Sequence, residues 1–210
     1  MNLKKIALEK YIEFSQYEGS QHIAKEHSVY RILQLLKNEK AKNVLEVGLG
    51  IGTIYSAVRK YDKNITYFGT ENNVFCLKSL KINLSGDYNS LVIYNSIEGV
   101  SFNNKLDVVI VDGKDKSFNS VKKIIKTNGV IIIEGDRNDQ QEEVRKLFPN
   151  SKDVHIISLK KNSSAGFFDS NHYQGGVKII YINPTTKQNI NWIAQKISTK
   201  LKYIIRIIRK

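Results

Sequence analysis

Two runs leave this 210-residue chain little choice of architecture: Val108-Val109-Ile110-Val111 and Val130-Ile131-Ile132-Ile133 are apolar at every position. A strand with one wet face alternates polar and apolar residues, whereas a strand with no polar position is covered on both sides. That is the condition of a parallel sheet held between two helical layers. The flanking sequence repeats the theme. Strands are predicted at Val44–Val47, Ile65–Gly69, Leu91–Tyr94, Leu106–Val111 and Val130–Glu134, with helices beginning near Thr53, Asn73, Ser117 and Asn138. Strand and helix alternating at this spacing predict a doubly wound α/β sheet. Val154–Leu159 and Val177–Ile182 have no helical pattern between them and read as an antiparallel closing pair joined by the polar loop Lys160–Gly176.

The ends of the chain differ from this middle. Leu3, Ile6, Ala7, Tyr11 and Phe14 fall on one helical face, Tyr17-Glu18-Gly19-Ser20 interrupts, and Ile23, Val29, Ile32, Leu33 and Leu36 form a second stripe. Residues 1–40 are therefore expected to be helices capping a core over 41–183, with a tail over 184–210. In that tail Ile193, Ile197, Leu201, Ile204, Ile205 and Ile208 share a face, after Trp192. The last fifteen residues carry Lys196, Lys200, Lys202, Arg206, Arg209 and Lys210 with no acid among them. A basic amphipathic helix of this kind suits an anionic membrane surface, or a place against its own domain or the second subunit of a homodimer. The net charge of +13 attracts anions in general, nucleic acid included. One cysteine, Cys76, allows no internal disulfide, and neither a signal peptide nor a spanning segment is visible. The expected location is cytoplasmic, soluble or peripheral on the inner face of the membrane.

The strongest local signal is Glu46-Val47-Gly48-Leu49-Gly50-Ile51-Gly52-Thr53, directly after the first strand and before a helix. Glycines let a ligand approach the backbone, and a helix start offers unpaired N–H groups. The dinucleotide pattern wants glycine at its sixth position, where this chain has Thr53. An acid two residues before the first glycine instead suits a cofactor that carries an ammonium group and no phosphate.

With its acidic-x-Gly-x-Gly-x-Gly segment, the chain resembles the class I S-adenosylmethionine-dependent methyltransferases, over roughly residues 20 to 182. The resemblance implies a Rossmann-like fold and cofactor contacts from Glu46, Gly48, Gly50 and Gly52. It also implies that Glu71, ending the second strand in Tyr67-Phe68-Gly69-Thr70-Glu71-Asn72, accepts both ribose hydroxyls, with Asn72 beside it. Nicotinamide dehydrogenases share an acid there. Asn95 or Ser96, after the third strand, would meet the adenine edge. Asp112, ending Leu106-Asp107-Val108-Val109-Ile110-Val111-Asp112, would face the methyl-transfer centre, because ligands in such sheets bind beyond the carboxyl ends of the strands.

Asp112 and Glu134 end adjacent strands, so their carboxylates can converge as catalytic groups on one pocket. The Asp-Gly-Lys-Asp-Lys-Ser-Phe run after the fourth strand is similar to that of small-molecule and sugar O-methyltransferases, including the catechol type. There an Asp and a following Asp-Asn pair hold Mg²⁺. This chain has Glu134-Gly135 with Asp136 a step later, so Mg²⁺ on Asp112 and Glu134 is one option. The Asn-Pro-Pro-Tyr signature of amino-methylating nucleic-acid enzymes is missing, and Cys76 stands away from any pyrimidine-methylating nucleophile. His172, in the loop between the last two strands, is a candidate general base. His22 and His27, on the second helix, face solvent or the cofactor mouth, and the four histidines have no zinc spacing. The leading expectation is O-methylation of a small molecule or glycan hydroxyl. An RNA methyltransferase, an aminopropyltransferase and a non-catalytic S-adenosylmethionine-binding protein remain alternatives.

Overall fold

The computed structural model describes residues 2–101, 103–135, 137–162 and 170–209. Seven strands form one sheet: β1 (Asn43–Val47), β2 (Thr66–Thr70), β3 (Val92–Tyr94), β4 (Leu106–Val111), β5 (Ile125–Glu134), β6 (Lys152–Ile156) and β7 (Val177–Tyr181). Their order is β3-β2-β1-β4-β5-β7-β6. The first five run parallel, and β7 runs antiparallel to both of its neighbours, as the sequence predicts. Among the described residues there are seven α-helices: α1 (Leu3–Phe14), α2 (Glu26–Glu39), α3 (Thr53–Tyr61), α4 (Val74–Leu84), α5 (Val121–Ile124), α6 (Asn138–Leu147) and α7 (Thr186–Ile208).

The all-apolar strands divide their residues between two cores by simple alternation. Val108, Ile110, Val130 and Ile132 join the layer built on α1, α2 and α3, with Phe14, Ile32, Leu33 and Tyr55. Val109, Val111, Ile131 and Ile133 point the other way, onto Phe118, Val121, Val144 and Phe148. The two N-terminal helices are thus integral to one core. Asn2 starts the first of them, its side chain accepting from the amides of Lys4 and Lys5.

One predicted element is much reduced. The helix expected from Ser117 is a 3-10 turn over Phe118–Ser120 followed by the single turn α5. Asp115 ties the Ser117 amide and hydroxyl into a local turn, and Ile124-Ile125 then enters β5 against Leu106. Consecutive β-branched residues favour a strand over a further helical turn. The strand β5 accordingly begins five residues before Val130.

The tail helix α7 opens with a capping box between Thr185 and Gln188 and lies against β6. Its inward face is polar: Trp192 Nε1 donates to Asp153 O at 2.8 Å, Lys202 Nζ to Ile157 O at 3.1 Å and Arg206 Nε to Ser158 O at 2.9 Å. Its isoleucine face points outward, with Ile190 63%, Ile197 57% and Ile208 78% exposed. Among the described residues no helix is long and apolar enough to cross a membrane.

Because Ile131 and Ile132 face opposite cores, Ile131→Ala and Ile132→Ala are each expected to destabilise the protein by about 2–5 kcal/mol. Urea denaturation checks this. A near-neutral result for either would mean that its face of the sheet is not covered.

Candidate functional site

The carboxyl ends of β1, β2 and β4 meet at a crossing of two loops. After Val47 the chain turns at Gly48, whose φ is 84°, and the amides of Gly48 and Leu49 both bond Thr70 O. A Cβ on Gly48 would lie 2.5 Å from Gly113 Cα. Only glycine lets the loop after β1 and the loop after β4 touch backbone to backbone. At Gly50, φ 53°, the direction a side chain would take is empty to 4 Å, so open space adjoins the backbone there. Gly52 caps α3 with φ 98°.

Around this loop lies an enclosed cavity of about 70 Å³. Glu46, Leu49, Gly50, Thr53 and Asp112 form its floor, and Gly19, His22, Ile23 and Ala24 from the α1–α2 connection roof it. Glu46 is fully buried. Tyr67 donates its hydroxyl to Glu46 Oε2 at 2.6 Å, while Oε1 has no hydrogen-bond partner among the described residues. Burial pushes the Glu46 pKa well above the usual carboxylate range, and the charges of Asp112 and Glu71 push it further. An unpartnered buried acceptor of this kind is completed by a cationic donor.

Glu71 is the joint between two spaces. Its Oε2 accepts from Gly50 N at 2.8 Å, and its Oε1 accepts from Asn72 N and Asn73 N, both at 2.9 Å. A carboxylate has about four acceptor positions, so three are already given to backbone. Beyond it Asn72, Asn95 and Ser96 come together with Glu98 and Asp115 in an open cleft of about 450 Å³. Asp115 shapes its wall by accepting from Ile97 N at 2.8 Å.

Asp112 and Glu134 follow the paired residues Val111 and Ile133 at adjacent strand ends. Burial raises the Asp112 pKa well above its ordinary value and the Glu134 charge adds to this, while Arg137 opposes. Burial likewise raises Glu134, against the charges of Arg137 and Lys25. Arg137 spans the two: Nη2 donates to Asp112 O at 2.6 Å and Oδ1 at 3.2 Å, and Nε to Glu134 O at 3.1 Å. Sequence reasoning missed Arg137 and Tyr67, and no motif marks them.

Asp136 lies outside the described residues. Among the described residues no group of three or more His, Cys, Asp and Glu could hold a metal ion. Of the two carboxylates available, Asp112 is paired with a guanidinium, which is a poor match to the oxygen shell Mg²⁺ takes. His172 is exposed, its carbonyl accepting from Asn162 N, and it is not among the residues lining the cavity. His22 is at the cavity, and His27 lies in a separate cleft on the other side of α2.

In the folded state Asp112 and Glu134 keep protons that the unfolded chain releases near its ordinary carboxylate pKa of about 4. Their contribution to stability is therefore fully present below that pH and is lost as pH rises through the raised folded values, whereas Asp107, whose pKa is lowered, contributes in the opposite sense. Asp112→Asn removes one of the two groups while leaving Arg137 an acceptor, and the fall should flatten. Thermal melting across that range decides; parallel curves for variant and wild type would contradict it.

No protein-family model and no curated protein sequence matches the chain. Solved structures do. An O-methyltransferase from Bacillus cereus in complex with SAH aligns with a TM-score of 0.61 at 14% identity, over 84% of this chain and 90% of that one. The O-methyltransferase TomG from Streptomyces achromogenes, involved in tomaymycin synthesis and in complex with SAM, aligns at 0.58 and 11%, over 87% and 90%. A precorrin-6y C5,15-methyltransferase from Geobacter metallireducens aligns at 0.60 and 16%, over 76% and 90%. The chain has the fold of these methyltransferases: a Rossmann-like, mostly parallel seven-stranded sheet with one antiparallel strand and helices on both faces.

Proposed function

We propose that this protein is an S-adenosylmethionine-dependent methyltransferase that methylates a hydroxyl of a small molecule or glycan. The observation that carries the reading is Glu46: a fully buried carboxylate, open at Oε1, inside the glycine-loop cavity that Asp112 also lines. A ligand with an ammonium group beside a nucleoside satisfies both halves of that site. Glu46 would take the ammonium, Glu71 a ribose hydroxyl at its remaining acceptor position, and Asn72, Asn95 and Ser96 the adenine side. The SAH and SAM complexes of the two O-methyltransferases above support this choice of cofactor.

When bound, S-adenosylmethionine supplies a methyl group on a positively charged sulfur leaving group. The chain's own residues supply position and a proton acceptor. Asp112 and Glu134 share a buried site in which their pKa values are raised, so the pair is a stronger proton acceptor than ordinary carboxylates toward an acceptor hydroxyl. Arg137, paired with Asp112, favours its ionised form. We route no step through Mg²⁺ or through the exposed His172. The positive charge keeps an RNA acceptor as the second reading; a non-catalytic S-adenosylmethionine-binding protein would bind without turnover.

We further place the enzyme in the cytoplasm, with α7 resting on an anionic inner membrane leaflet. The outward stripe Ile190, Ile193, Ile197, Leu201, Ile204 and Ile208 gives apolar burial, and cations adjoin it. No acid occurs between Thr186 and Lys210, so two copies meeting stripe to stripe in a homodimer would bring like charges together.

Glu71→Ala should lower calorimetric affinity for S-adenosylhomocysteine at least tenfold, since hydrogen bonds to a charged group are worth about 1.5–3 kcal/mol each. Asp112→Asn should lower turnover on the true acceptor by about 10²–10⁴-fold, with EDTA having little effect on the wild type. Unchanged affinity, or full activity of Asp112→Asn, overturns the corresponding role.

For the tail, Ile197→Glu with Leu201→Glu leaves the docked face intact. The double variant should lose co-sedimentation with phosphatidylglycerol vesicles and keep its melting temperature. Equal pelleting of both proteins rules out the stripe as a lipid contact, and a shift from dimer to monomer would assign it to a second copy.

A further inference from the structure

Away from the cofactor cavity, a second cleft of about 400 Å³ opens between α2, the segment after β6 and the inner face of α7. Lys4, Arg31, Lys160 and Lys202 line it, against the single carboxylate of Glu26. Glu26 is already taken by Lys160. Arg31 makes one side-chain bond, from Nη1 to Gln34 Oε1 at 2.6 Å, and has no carboxylate partner among the described residues. Lys202 spends one of its donors on Ile157 O. Arg206 stands behind, its guanidinium 4.3 Å from the Tyr173 ring centroid. His27 lies on the same wall, its amide fixed by Gln174 Oε1 at 3.1 Å and its buried Nε2 without a hydrogen-bond partner.

Like charges are crowded here without visible reason. Burial, then Arg31, Lys202 and Arg206 together, lower the His27 pKa to about 3, so its ring is neutral. Burial, Arg31 and Arg206 lower Lys202. Half-buried cations that repel one another across an open cleft are disfavoured unless something anionic sits among them. The donors also have a definite chemistry. Arg31 offers a planar fork and Lys202 a point charge, with Lys160, paired to Glu26, alongside. Forked and point donors around one space fit a tetrahedral oxyanion, and the charge surplus fits a dianion better than a single carboxylate.

We propose that this cleft is a binding site for a phosphate monoester, held by Arg31 and Lys202, with Lys160, paired to Glu26, beside them. It is separate from the methyl-transfer pocket but shares α2 with it. Lys25 acts on Glu134 from the start of that helix, and His27 and Arg31 line the cleft. A bound phosphate therefore sits where it can either anchor the far end of an acceptor or set the position of α2.

The test uses the full chain and inorganic phosphate as the probe, titrated calorimetrically at constant ionic strength. Saturable binding is expected, weakened at least tenfold by Arg31→Gln and by Lys202→Gln and unchanged by Lys187→Gln. Phosphate should raise the melting temperature of the wild type and not of Arg31→Gln. In chloride alone Arg31→Gln should melt no lower than wild type, since the substitution relieves repulsion; this also reports whether the variant folds. Arg31→Lys, which keeps charge but loses the fork, should fall between. Vesicles separate the sources of the group. Preference for phosphatidic acid over phosphatidylglycerol at equal charge, lost in Arg31→Gln, assigns a lipid headgroup. Absence of that preference with intact phosphate binding assigns a soluble phosphate monoester. No saturable binding of phosphate and no vesicle preference, or binding that Arg31→Gln leaves unchanged, overturns the proposal.

Discussion

The contact between Gly48 and Gly113 fixes the rest of the site. With no side chain on either residue, the loops leaving β1 and β4 cross in backbone contact, Gly113 N bonding Val47 O at 2.7 Å. That crossing brings Glu46 and Asp112 into one cavity and turns the open face of Gly50 toward it. Any side chain at either glycine would push the central strand ends apart. The sheet behind could still form, because its two cores rest on alternation within β4 and β5 and not on the loops.

Three carboxylates then stand within one electrostatic neighbourhood, Glu46, Asp112 and Glu134, all with pKa values raised first by burial. Taken alone this is destabilising, since charge removed from water must be either paired or neutralised. The chain offsets it only in part. Tyr67 serves one oxygen of Glu46, Arg137 one oxygen of Asp112, and the charges of Arg137 and Lys25 act on Glu134. The remaining deficit at Glu46 Oε1 is an acceptor left open inside the cavity, one that a hydrogen-bond donor would satisfy. Local instability of this sort belongs at sites that bind, while the two cores supply the stability.

The doubly wound sheet was legible because Val108–Val111 and Val130–Ile133 admit no wet face. The order of its strand ends was legible because Gly48, Glu71, Asp112 and Glu134 recur where such a sheet gathers ligands. What stayed hidden depends on distant partners. Arg137 is one of 33 Lys and Arg residues, and nothing adjacent to it in sequence says that it reaches back to Asp112. Of the roof, Gly19 and Ser20 read as an interruption between helices and His22 and Ile23 as part of the second helix, which in fact starts at Glu26, since neither pattern says what the segment covers. At Ser117 the helical reading gave way to a turn set by Asp115 and to the β-branched pair Ile124-Ile125.

The tail shows the limit most directly. Amphipathicity says that a helix has two faces and does not say which one docks. In α7 the polar face docks, and the sheet explains why. β6 is the terminal strand of the order β3-β2-β1-β4-β5-β7-β6, so its outer carbonyls have no neighbouring strand. An open edge of this kind invites pairing with another chain. Trp192, Lys202 and Arg206 donate to Asp153 O, Ile157 O and Ser158 O, on that edge or just past it, and side-chain donors are what such carbonyls need. An isoleucine face laid there would have left them unsatisfied, at a cost of about 1–3 kcal/mol per group. Satisfying the edge therefore decides the rotation of α7. That rotation turns the isoleucines outward and brings Lys202 and Arg206 in toward the side of α2 that carries His27 and Arg31.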